Sequence, residues 1–147
     1  MNWPWSKPKP KEYWVGREWL SSELAFRLVS LSSIKLKDNN YFYVSLTDLI
    51  PMLSEARRGV PKWVADKWDC DDFAFYTMAI VGLKFGINTV GYCEGNNPDF
   101  VDATGNDRHA WNIIYTEECF YFYEPQNGNL WPASLPSKYK ADEIIFS

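Results

Sequence analysis

The stretch from Phe73 to Leu83 constrains this chain most. Phe73, Ala74, Phe75, Met78, Ala79, Ile80, Val81 and Leu83 leave almost no polar position. Asp69 stands before it as an N-cap, Asp72 follows three residues on, and Gly86 provides the stop after Lys84-Phe85. A helix that is apolar on every side is buried on every side. The apolar run is 11 residues long, far short of the roughly 20 needed to cross a bilayer. The expectation is therefore a central helix packed between a sheet and other elements.

The rest of the chain supplies such a setting. Its 147 residues suit one domain with a core large enough to need no disulfide staples. Three cysteines, Cys70, Cys93 and Cys119, form no CxxC pair, which argues for a reducing compartment. Met1-Asn2-Trp3-Pro4-Trp5 has no signal-peptide pattern, so the expected location is cytoplasmic, a virus-encoded effector included. The formal net charge of −4 argues against a general nucleic-acid binder, which needs clustered positive charge. Charge is uneven, however. Residues 1–37 carry a net +4 and the remainder a net −8. Ser6-Lys7-Pro8-Lys9-Pro10-Lys11 reads as an exposed, extended basic arm over residues 1–12, with one domain over 13–147. Aromatic residues make up 18% of the chain; such side chains fill cores and also wall ligand clefts.

Periodicity orders the elements. Leu20, Leu24, Leu28 and Leu31 predict a helix over 18–31. Tyr41 to Val44 is a short β-prone run, and Ser45-Leu46-Thr47-Asp48 has the form of a helix start. Pro51 either kinks that helix or sits in its first turn. Beyond Gly86 the pattern turns to strands at 88–94, 109–115 and 120–124, with a last one at 143–146. Helices first and a mostly antiparallel sheet after them read as an α+β fold.

His109 is the only histidine, so any imidazole chemistry must use it. A hairpin centred between Thr116 and Glu117 would put Glu124 directly opposite His109, on the same face, where a carboxylate fixes the tautomer. Cys70 falls at the first turn of the apolar helix, where free amides and the helix dipole favour a thiolate. Asp66, Asp69, Asp71 and Asp72 oppose that by crowding the same helix start with negative charge. A hard divalent cation such as calcium would offset the excess, with Gln126 and Asn127 as further oxygen donors.

Trp63, Trp68-Asp69-Cys70-Asp71-Asp72-Phe73-Ala74, His109-Ala110-Trp111 and Glu124-Pro125-Gln126, in this order, resemble the papain-like, calcium-dependent cysteine protease domain of the agglutinin of Marasmius oreades and related proteins. The resemblance covers roughly residues 40–147. It implies a papain-like or transglutaminase-like core and a Cys70–His109–Glu124 triad, with Trp63 contributing to the oxyanion region. It further implies a calcium or manganese site at Asp71, Asp72 and Gln126, with Asn127 beside them, and a homodimer. The family's sugar-binding trefoil is not carried over, because only about forty residues precede the similar region. On this reading the chain is a small cysteine peptidase or amide hydrolase acting on a peptide or protein. Two alternatives share the layout: acyl transfer of the transglutaminase type, and a non-catalytic binding or inhibitor module on the same fold.

Overall fold

The computed structural model describes residues 8–28, 30–65, 67–117, 119–133 and 138–147. Residues 1–7 of the basic arm, and Asp66 of the acidic cluster, lie outside the described residues. The arm's residues 8–12 have no regular structure. Strand β1 (Tyr13–Gly16) leads into helix α1 (Arg17–Arg27), followed by β2 (Ser33–Leu36), β3 (Asn40–Tyr43) and α2 (Leu46–Arg57). Then come α3 (Cys70–Phe85), β4 (Val90–Asn96), a short 3-10 helix (Pro98–Phe100), β5 (Arg108–Thr116), β6 (Cys119–Glu124), β7 (Asn129–Pro132) and β8 (Lys140–Phe146).

The helix ends follow their local chemistry. Ser45 caps α2, its hydroxyl accepting from the Asp48 N–H at 3.2 Å. Pro51 lies inside α2 on its exposed side, beyond the first turn. Asp69 and Asp72 form a reciprocal capping box on α3, and Gly86 closes it with φ of 71°, a left-handed conformation that glycine adopts without steric cost. In α1 the predicted helix ends earlier, at Arg27, with Leu28 as its C-cap.

Six strands form one sheet in the order β2-β8-β4-β5-β6-β7, antiparallel throughout except for the parallel β2–β8 pair. A separate antiparallel ribbon joins β1 to β3. Side chains alternate between the two faces of a strand. On β5, Trp111, Ile113 and Tyr115 join Leu20 and Leu24 of α1 and Tyr41 of the ribbon in one core. Ala110 and Ile114 point the other way, toward α2 and α3. Asn112, also on that side, ties sheet to helix by donating to the Ala74 carbonyl at 2.8 Å.

This arrangement corrects the expectation of a helix buried on all sides. The sheet is the middle layer, and α3 lies on one of its faces against α2. Phe73, Ala74, Thr77, Val81 and Phe85 make the buried stripe of α3. Leu83 is 73% exposed and Phe75 41% exposed, the latter stacked on Tyr92 with ring centroids 4.1 Å apart. A helix with uniform apolarity has no preferred side of its own, so its neighbours chose which side to cover. No helix among the described residues is long and apolar enough to cross a membrane.

Candidate functional site

At one end of the sheet the start of α3 meets the start of β5 and the chain leaving β6. Between them opens a cleft of about 720 Å³, lined by Cys70, His109, Trp63, Asp69, Phe100, Asp102, Arg108 and Gln126, among others. Cys70, His109 and Trp63 thus share one cavity, and Glu124 reaches it through His109.

The histidine is held from three directions. His109 is 2% exposed, and its Nε2 lies 2.6 Å from Glu124 Oε2. When Glu124 is ionised, Nε2–H is the donor of this bond. Glu124, fully buried, also accepts from the Tyr139 hydroxyl at 3.0 Å and from the Gln126 N–H at 3.2 Å. Phe100 stacks on the imidazole at 3.8 Å between centroids and 10° between planes. The pairing differs from the sequence expectation by two residues: Asn112 faces Tyr123, not Tyr121. An even shift preserves the face, and the His109–Glu124 contact survives it.

Cys70 is the first residue of α3, half-buried and packed with Ala74, Tyr92 and Ala110. Burial pushes its thiol upward from the ordinary range, and Asp69 and Asp71 push the same way; the Ala110 backbone opposes them without reversing the shift. The expected thiolate at the helix start is thereby corrected: dipole and amides are outweighed by desolvation and acids. Cys93 is fully buried in the core under α1, and Cys119 is exposed at the hairpin end.

Asp71 is raised above the usual carboxylate range, chiefly by a hydrogen bond with Asp69 and then by burial. A carboxyl whose folded pKa lies above its unfolded value binds more protons when folded, so stability falls as pH rises through that window. Asp71→Asn is therefore expected to stabilise the protein at pH 7, by less than about 1 kcal/mol because the group is largely exposed and screened. The gain should vanish near pH 3, where both states are protonated. Urea unfolding at the two pH values measures it, and an equal gain at both would exclude a charge origin.

The acidic turn gathers candidate cation ligands. Asp69, Cys70 and Asp71 bring ligand atoms within 4.8 Å of one another. Asp72 accepts from the Asp69 N–H at 3.2 Å, Asn127 Oδ1 accepts from the Asn129 N–H at 2.8 Å, and Gln126 lines the cleft. Of the expected carboxylate ligands Asp71 and Asp72, Asp71 belongs to this group among the described residues.

Sequence reasoning missed Arg108, Phe100, Asp102 and Tyr139. Arg108 Nη2 donates to Glu94 at 2.7 Å and to Asp142 at 3.1 Å, and Nη1 donates to Asn96 at 3.2 Å and again to Asp142. Its partners sit on β4 and β8, and only the strand order brings them together.

No protein-family model and no curated protein matches the chain. Solved structures do. PSL1a in complex with E64 superposes with a TM-score of 0.68 at 23% identity, over 90% of this chain and 51% of that one. The Polyporus squamosus lectin bound to the human-type influenza-binding epitope Neu5Aca2-6Galb1-4GlcNAc superposes at 0.65 and 21% identity, over 92% of this chain and 49% of that one. The fold is shared with a fungal lectin. The chain spans about half the length of the structures it matches. These likenesses correct the reading of the chain as a hydrolase, thiol protease or cysteine peptidase: the fold is that of lectin structures, and neither of them is named a protease.

Proposed function

We propose that this chain is a non-catalytic binding module whose cleft at the start of α3 seats a saccharide. The observation that carries this reading is an exposed indole facing a polar-rimmed cavity within a lectin-type fold. Trp63 is 55% exposed and lines the cleft. An indole face is apolar and suits the C–H face of a sugar ring, while its edge tolerates water. Asp69, Asp102 and Gln126 provide acceptors and an amide for hydroxyl groups. The cavity volume of about 720 Å³ lies in the range of small-ligand sites.

Calorimetric titration with N-acetyllactosamine tests the reading. Binding is expected to weaken roughly tenfold in Trp63→Ala, equivalent to about 1.4 kcal/mol. Cys70→Ala should bind within about twofold of the parent chain, and the saccharide should be recovered intact. Absence of saccharide binding, or peptide turnover abolished by Cys70→Ala, would overturn it.

A further inference from the structure

We infer that the cleft sorts its ligands by charge, accepting neutral or amine-bearing saccharides and rejecting those that carry a carboxylate. The inference rests on the binding reading above and adds the ligand class.

Two features of the wall point the same way. First, Arg108 is the only arginine or lysine lining the cleft among the described residues, and it is already engaged. Glu94 and Asp142 take its guanidinium from two sides, so two carboxylates answer one positive charge. An incoming carboxylate finds no uncompensated cation there. Second, Asp69 and Asp102 line the cleft, and Asp71 stands beside Asp69. Asp102 lies on the loop after β4, where its Oδ1 accepts from the Thr104 N–H at 2.8 Å and the Asn106 N–H at 3.0 Å. Those bonds favour its ionised form and fix the negative charge at the rim.

A wall rich in acceptors calls for donors, which hydroxyl and ammonium groups supply and a carboxylate lacks. Like charges brought together in a partly desolvated cavity repel strongly, and specificity often comes from such a repulsive element.

Calorimetry and ¹⁵N-HSQC titration with three probes provide the test: N-acetyllactosamine, its 6′-sialylated form, and a glucosamine disaccharide with free amines. The sialylated probe is expected to bind at least tenfold more weakly than the other two. The Asp69→Asn/Asp102→Asn variant keeps side-chain acceptors for the helix cap and loop, and should close most of that gap. Asp102→Asn alone, confined to an exposed loop, should close part of it and guards against a folding defect. Sialylated and neutral probes binding alike, or a gap that survives both variants, would overturn the charge filter while leaving the binding reading standing. If none of the three probes shifts a resonance, the binding reading itself falls and this inference with it.

Discussion

Replacing Glu124 with alanine is expected to cost about 3–5 kcal/mol of folding stability, because three donors to one buried carboxyl group lose their acceptor at once. The carboxylate is fully buried and serves three donors: His109 Nε2 at 2.6 Å, the Tyr139 hydroxyl at 3.0 Å and the Gln126 N–H at 3.2 Å. Alanine leaves those donors without their acceptor where water has little access, and each such loss costs about 1–3 kcal/mol. Glu124→Gln keeps one carbonyl oxygen in place and should lose roughly half as much. The ordering separates loss of hydrogen bonds from loss of packing. Urea unfolding followed by circular dichroism reads both variants. Equal losses in Ala and Gln would mean that charge, not hydrogen bonding, holds the site. A loss under about 1 kcal/mol in Ala would mean that the pair is not structurally important.

A second large effect is expected at Gly95. A Cβ there would stand 1.9 Å from the Lys140 carbonyl oxygen and 2.9 Å from the Ala141 Cα, both backbone atoms of β8. No side-chain rotation can relieve that contact; β8 must move away from β4. Gly95→Ala should therefore destabilise by about 3 kcal/mol, the upper end of the usual overpacking range. The damage should also reach the cleft. Gly95 pairs with His109 across β4 and β5, and β8 carries Asp142, which holds Arg108. Resonances of Arg108 and His109 should shift in the variant even under conditions where it remains folded. An unchanged unfolding midpoint would show that the strands separate more easily than the close packing implies.

How much of this was legible beforehand depended on the range of the interaction. The caps at Ser45, Asp69 and Gly86 were readable because a capping box or a left-handed glycine acts within four residues. The His109–Glu124 contact was readable despite a misplaced hairpin centre, because the two-residue shift left both side chains on their original face. The orientation of α3 was not readable, since Phe75 and Leu83 are as apolar as the residues it buries. Nor was the Arg108 clamp, whose acceptors lie 14 and 34 residues away on strands made neighbours by sheet order. Phe100 over the imidazole belongs to the same class, being placed by a short 3-10 helix outside any periodic pattern.

By itself the sequence determined the caps of α2 and α3, the strands β3, β4, β5, β6 and β8, and the pairing of its one histidine with a glutamate, because those follow from short-range geometry and a period of two; β1, β2, β7 and the end of α1 escaped it. Tertiary structure decided that the sheet is the middle layer and that Cys70 is half-buried against Tyr92 and Ala110, which adds desolvation to the carboxylates already visible beside it in the sequence. It also placed an already neutralised arginine in the cleft. Charge and burial are properties of a place, and a place exists only once distant segments have packed.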